Sequence, residues 1–444
     1  MALSMERRRS VADGRAPPGA GEPRRMKLAD SRHALVRALK LFALGMVMQA
    51  GLFLDPSNYT YGYNLRTLRF CGILNRIGFA YLAVALLEIW LPQPPLPRWP
   101  AAAPPGIAHR PGAADAVVRF VCAHGSVALA FRWQWLCAGA IVLAQLLLTY
   151  LVPVPTWTSE YIWNSEGREI YLPPSMGVPI PCDVRGAVDT PECSASAYFD
   201  RLLFGQNHLG AWRSQALPQC SSCSPGVCPL ELSAPAWCGA HMYDPEGALS
   251  TLASAVAVII GLYFGKVLLA TRRWPPASSP TRHLVFHWSL SALKLIAVGL
   301  GLKYGAGIAF NKQLWSLSYS LWMTGTCGAA LAAAYLLVDV DGGHRRICGA
   351  VLSAFQYLGM NAILVFFLHG PAEAVIHAVY TTGGPDPIAQ GAARYTLITW
   401  LRDTVIASAV GGGAPAQLVY VIVKVMCFMA MAAWCARVGY FWKL

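Results

Sequence analysis

The sequence predicts an all-α, polytopic transmembrane helical bundle of about eight spans with a cysteine-rich lumenal loop. Three observations carry that prediction. Hydrophobic residues make up 55% of the 444-residue chain and charged residues only 13%, against about 25% charge in an ordinary soluble domain. The charges are clustered, which leaves stretches of roughly 20 apolar residues, each long enough to cross about 30 Å of hydrocarbon as a helix. Only helices and closed barrels satisfy their backbone in lipid, and these stretches are about twice the length of barrel strands.

Spans are expected near 34–54, 69–91, 133–152, 248–270, 286–305, 314–338, 350–369 and 416–437. An even number puts both termini on one side. Residues 1–33 are polar, basic and rich in Gly and Pro, which reads as a disordered cytosolic tail and not as a cleavable apolar leader. The order that follows is spans 1–3 over 34–152 with a Pro-rich cytosolic loop at 92–132, a lumenal loop at 153–246, and spans 4–8 over 247–444 with a cytosolic C-terminus. Residues 394–410, interrupted by Arg402 and Asp403, read as a lumenal interfacial helix.

The net charge of +13 does not point to nucleic acid. Ten Lys or Arg fall within residues 1–40, ahead of or at the start of the first apolar span, and no DNA- or RNA-binding motif occurs. Basic residues beside spans mark the cytosolic side. The loops with Arg272, Arg273 and Arg282, and with Arg345 and Arg346, agree with that side. The 153–246 loop carries four Arg against ten Asp or Glu and faces the other way.

Six cysteines in that loop, Cys182, Cys193, Cys220, Cys223, Cys228 and Cys238, imply disulfides in an oxidising lumen. The sequence does not choose among the pairings. A zinc site is the rival reading, since Cys220-Ser-Ser-Cys223 has ligand spacing, but a second such pair is absent and no metal is expected. Asn58-Tyr59-Thr60 is a glycosylation sequon in a loop that this topology also places in the lumen.

Ionisable and amide groups inside spans are expensive and are functional candidates for that reason. Arg76 lies two turns into the second span beside Asn75, with a structural pair to Glu88 as the alternative role. Asn361 sits in Gly359-Met360-Asn361-Ala362, and His369 follows two turns on, where an imidazole could act as general base. A hydrogen-bonded structural histidine is the plainer reading. Lys294 and Lys424 are also within spans and are expected to snorkel. Lys266 and Lys443 stand at cytosolic span ends, where lysine meets lipid headgroups or, as a point charge, a phosphate.

Six strings taken together resemble the heparan-alpha-glucosaminide N-acetyltransferases and their plant-type relatives. They are LRFCGILNRIGFAYLAVALLE (68–88), AYFDRLLFGQNHL (197–209), YDPEGALSTL (243–252), NKQLWSLSY (311–319), GMNAILVF (359–366) and YFWKL (440–444). The resemblance covers roughly residues 34–444. It implies a lysosomal or vacuolar membrane enzyme that moves acetyl from cytosolic acetyl-CoA to a lumenal glucosamine-type amine, with membrane lipid around it and self-association into a homodimer left open. It implies Arg76, Lys266 and Lys443 as CoA contacts, and Asn207, His208, Asn311 and Asn361 as substrate contacts. Asp244, Glu246 and His369 are implied as the groups that orient the sugar or move its proton. For Asp244 and Glu246 a helix start serves equally well, because acids suit the N-terminal dipole.

The sequence departs from the family in one respect. The family's Asp-x-Phe-Arg-Gly helix, and its catalytic His followed by Trp-Asn-Gly, have no counterpart here. None of the ten His takes that role by motif. The resemblance therefore implies an incomplete or degenerate member, inactive alone. A non-enzymatic binder or scaffold and a solute transporter are the alternatives, and transporters tend to carry paired broken helices near mid-membrane.

Overall fold

In a computed structural model the described residues are 22–49, 53–55, 60–62, 68–92, 125–163, 169–171, 174–188, 190–209, 243–274, 280–340, 344–369, 380–381 and 395–442. Among them the main helices are α1 (Glu22–Gln49), α2 (Ile73–Trp90), α3 (Arg132–Leu151), α4 (Ala195–Phe204), α5 (Ala248–Arg272), α6 (Pro280–Tyr304), α7 (Leu317–Tyr335), α8 (His344–Met360), α9 (Ala362–His369) and α10 (Ala414–Arg437). The chain divides into two units, the first holding residues 1–45 and 69–336, the second holding 46–68 and 337–444.

Among the described residues six helices are long and apolar enough to cross a membrane: α2, α3, α5, α6, α7 with its continuation to Val340, and α10. Their bounds fall within a few residues of the expected spans, apart from the start of α6, which extends back to Pro280. The expected span at 350–369 is a bent pair, Leu352–Met360 and Ala362–His369, with 77° between its halves, and counts as a seventh if both halves form one span. The expected span at 34–54 is the exception. Its residues 34–49 fall in α1, whose most apolar 18 described residues still hold Arg32, Arg37 and Lys40, and its residues 53–54 fall in a short strand, Phe53–Asp55, paired with Thr60–Gly62. Residues 22–33, read from the sequence as part of a disordered tail, are helical. The Ala, Leu, Met, Lys and Arg in this stretch are good helix formers, and that local propensity prevails over the polar composition.

In the first unit α5 is the most buried of the six membrane helices. It packs against α2, α3, α4, α6 and α7. Ile259, Val267, Leu284, Trp288, Val84 and Phe131 form the centre of that packing. Glycine allows the closest approach, between α6 and α7: a Cβ at Gly325 would lie 2.7 Å from the carbonyl oxygen of Ala292, and one at Gly299 would lie 2.8 Å from the amide of Trp322. Small residues at such crossings let helix backbones meet where no hydrophobic gain separates protein from lipid. Helix α1 lies on α2, with Phe42 edge-on to Phe79 at 5.6 Å and Arg37 over the Tyr81 ring at 5.1 Å.

The part of this unit between α3 and α5 begins with an interrupted antiparallel hairpin. Residues 153–163 run against 169–185, with Val154 opposite Val184, Thr158 opposite Pro179 and Ile162 opposite Ile170. Cys182 and Cys193 are joined by a disulfide that ties this hairpin to the turn before α4. The other four cysteines of the loop, Cys220, Cys223, Cys228 and Cys238, and the sequon at Asn58, lie outside the described residues.

In the second unit α8 packs against α10. Residues 397–410 are helical, with a wider turn over Leu401–Ile406, and Arg402 pairs with the adjacent Asp403 at 2.5 Å. Asn361 occupies the bend between α8 and α9 and is buried. Its Nδ2 donates to the Tyr440 carbonyl and its Oδ1 accepts from the Trp442 amide, both at 3.1 Å.

Candidate functional site

Three chain segments meet at one end of α2 and α5. The first is 68–72, leading into α2. The second is α4, capped by Ser194, whose Oγ accepts from the Ala197 amide. The third is the turn 243–247, which enters α5. Arg69 joins them: its guanidinium binds both Asp244 oxygens, at 2.5 Å, and also binds Glu246. Asp244 is fully buried and Glu246 is 7% exposed. Burial opposes the charge on Arg69, but its two carboxylate partners outweigh that and hold its proton more firmly than usual.

Asp200 of α4 completes the turn. Its carboxylate accepts from the Asp244 amide at 3.1 Å and from the Ala248 amide at 2.8 Å. The position between these amides must be glycine, because a Cβ at Gly247 would fall 2.1 Å from an Asp200 oxygen. Burial pushes the Asp200 carboxyl up to about 7, against the pull of those two amides. Its neighbour Arg201 is pushed down to about 10 by burial, lies 3.8 Å from the centre of the Trp157 ring, and donates to the Glu192 carbonyl beside the disulfide.

Arg76, half-buried in the first turn of α2, reaches back to this turn. It donates to the Pro245 carbonyl at 3.4 Å and its guanidinium lies 4.2 Å from the centre of the Trp315 ring. Glu88, considered above as its partner, stands twelve residues further along the helix, about 18 Å away at 1.5 Å per residue, and takes Lys266 instead.

A cavity of about 650 Å³ opens beside this cluster, between α1, α2, α3 and α5. Its walls are apolar, from Phe42, Phe79, Ala83, Ile141 and Leu252, while Arg76, Glu246 and Thr251 supply its polar end. A pocket with mostly apolar walls and a few convergent polar groups is the usual form of a small-molecule site.

The other expected residues fall in several places. His208 stacks on Phe70, a cavity residue, with ring centres 4.1 Å apart, and Asn207 stands beside it in the turn Gln206–His208. Asn311 organises the turn before α7, its Oδ1 accepting from the amides of Gln313 and Leu314. Lys266 is on the same helix as the turn but twenty residues from Glu246, about 30 Å along α5. It pairs with Glu88 at 2.5 Å, and Glu88 also accepts from Gln134 of α3. Asn361 and His369 belong to the second unit, where His369 Nδ1 is 2.9 Å from the Phe366 carbonyl. Lys443 lies outside the described residues. Among the described residues, no group of three or more His, Cys, Asp or Glu could hold a metal ion.

Sequence reasoning passed over three members of the cluster. Arg69, Asp200 and Trp315 each stood inside a string quoted for the resemblance, and that was the available signal. Four of the six strings, 68–88, 197–209, 243–252 and 311–319, contribute to this one cluster. The remaining two meet in the second unit through Asn361, Tyr440 and Trp442.

No protein-family model matches the chain. Curated relatives do. The human heparan-alpha-glucosaminide N-acetyltransferase is 28% identical over 332 residues, which is 72% of this chain and 40% of the relative. The mouse protein of the same name is 26% identical over 329 residues, 73% of this chain and 40% of the relative. The chain thus spans about 40% of the length of the curated relatives it matches. These matches support the assignment that the six strings imply: the chain is similar to the heparan-alpha-glucosaminide N-acetyltransferases over about 72% of its length.

Proposed function

We propose that this chain is a membrane N-acetyltransferase-type protein that works with acetyl-CoA and an amino-sugar acceptor, and that the Arg69–Asp244–Glu246–Arg76 cluster is the acceptor end of its cavity. One observation carries the reading. Four sequence segments that resemble the family, far apart in the chain, converge on a single charged cluster at the mouth of a cavity of ligand size.

The chemistry fits that placement. A glucosamine amine is a cation near neutral pH and must lose a proton before it attacks an acetyl carbonyl. Glu246, at the polar end of the cavity, can hold the ammonium and take that proton. Arg76 beside it can stabilise negative charge developing on the acetyl oxygen, as the N–C bond forms and the C–S bond to CoA breaks, the thiolate leaving as CoA thiol with the proton that the amine gives up. Lys266, about 30 Å away along α5, lies a hydrocarbon thickness from this end. Two charged sites so separated suit a reaction whose donor and acceptor are on opposite sides of a membrane. The disulfide in the acidic 153–246 loop supports an oxidising, lumenal location for the acceptor end, in an endomembrane compartment of the lysosomal or vacuolar kind.

The test is ligand binding to the purified chain in lipid nanodiscs, titrated separately with acetyl-CoA and with glucosamine. Both are expected to bind. Glu246→Gln should weaken glucosamine about 10- to 150-fold, the equivalent of a charge-assisted hydrogen bond of roughly 1.5–3 kcal/mol. A solute transporter would take glucosamine and leave acetyl-CoA unbound. Binding of neither would overturn the proposal.

A further inference from the structure

We infer that Asp200 is a positioning residue for this site, a protonation-dependent clasp that sets the 243–248 turn and through it the carboxylates of Asp244 and Glu246. The geometry comes first. Asp200 is fully buried and touches the turn at both ends, through the Asp244 amide and the Ala248 amide. Gly247 between them leaves just the room the carboxyl occupies. The turn has few other ways to place Glu246: its amide is held by Asp244 Oδ1 at 2.9 Å, so the two carboxylates move as one piece. That piece is bound in turn by Arg69 and forms part of the cavity wall. Asp200 is not itself a lining residue of the cavity; it reaches the wall through the turn, by the amide of Ala248.

The surroundings make the clasp sensitive to protons. On the 243–248 segment the charged or titratable groups are Tyr243, Asp244 and Glu246. Before α2 they are Arg69 and Cys71. On its own side of the cluster they are Glu192, Arg201 and, in the turn that follows α4, His208. Helix α3, which also packs on α4, brings no charged side chain near it; residues 140–151 contain Tyr150 as their one titratable group. Arg69 is engaged by Asp244 and Glu246, and Arg201, which lies on Trp157, offsets the Asp200 charge only in part, so that charge stands buried beside a second carboxylate. Burial and, to a lesser degree, Asp244 oppose its ionisation, and its carboxyl titrates near neutral pH.

The sign follows by linkage. A carboxyl whose folded value lies above its unfolded one favours the folded state when protonated, and that contribution is lost as pH rises through the folded value. The clasp should therefore be tightest below about pH 6 and loosen through pH 7 to 8. An acidic lumen would keep the site assembled and a neutral compartment would relax it. The role assigned to the carboxylates rests on the function proposed above; the clasp itself does not.

The experiment reads the clasp without any ligand. Hydrogen exchange of the 243–252 backbone is followed by mass spectrometry on the full chain in nanodiscs at pH 5.5 and pH 8, corrected for intrinsic exchange rates. The wild type should be protected roughly tenfold more at the lower pH, as about one pKa step of differential interaction gives. Asp200→Asn, which is neutral at both pH values and keeps one acceptor oxygen for the two amides, should retain part of the protection and remove the pH difference. Asp200→Ala should lose protection at both pH values. Equal protection of the wild type at both pH values, or a pH difference that survives in Asp200→Asn, would overturn the inference. Where acetyl transfer is measurable, its pH profile should flatten in Asp200→Asn on the alkaline side. A flat exchange profile refutes the clasp, whereas a clasp without acetyl-CoA binding refutes only the function.

Discussion

The Lys266–Glu88 pair ties α5 to α2 inside the bundle, and its removal tests how the first unit is held together. Glu88 is 1% exposed and Lys266 13% exposed at the side chain, with Nζ to Oε1 at 2.5 Å. Gln134 Nε2 donates to the second Glu88 oxygen at 3.0 Å, which brings in α3. Lys266→Met keeps the length of the stem and removes the charge. It takes the cation away from a buried carboxylate, whose second oxygen keeps the Gln134 amide. Breaking one side of a buried pair costs about 3–5 kcal/mol, whereas replacing both sides with apolar groups of similar volume is often neutral. Lys266 retains some exposure, so the lower end of that range is expected, about 3 kcal/mol. Glu88→Leu should cost a similar amount. The double variant should lie near the wild type, giving a coupling of roughly 2 kcal/mol or more in a double-mutant cycle. The assay is thermal unfolding of the four proteins in one detergent, followed by tryptophan fluorescence, with the single variants several degrees below the wild type. A double variant that loses the sum of the two single losses would refute the reasoning.

Two further outcomes are expected. Gly247→Ala should destabilise the protein by about 1–3 kcal/mol through overpacking, because the new Cβ would fall 2.1 Å from Asp200; combining it with Asp200→Ala should recover part of the loss in the same unfolding assay. Replacing Cys182 and Cys193 by Ala opens a loop of sequence separation 11 and should cost about 3 kcal/mol on the chain-entropy account, read as a lower midpoint that no longer responds to reductant through this pair.

The sequence by itself determined the class, the positions of most membrane helices and the family resemblance. Apolar runs of about 20 residues have one stable solution in lipid, so their length and composition locate helices such as Ala248–Arg272 and Ala414–Arg437 without any knowledge of contacts. It also singled out the six cysteines of residues 153–246 and left their pairing open; the Cys182–Cys193 bridge required three-dimensional proximity. The first helix was misjudged where propensity and polarity disagree: residues 22–33 carry both helix formers and charge. Partnership between distant residues was decided only by the tertiary structure. The resemblance gave Arg76 and Lys266 one role, as CoA contacts, although one lay inside a span and the other at a span end. Their surroundings differ because α2 and α5 lie side by side. One end of that pair brings Arg76 to Trp315 and the 243–247 turn, and the far end brings Glu88 to Lys266. Arg69 and Asp200 carried no local signal of importance, being a polar residue at a span boundary and an acid in a short extramembrane helix. Their significance comes from burial against residues 175 and 44 positions away, and the cost of a buried charge depends on which partner the fold supplies.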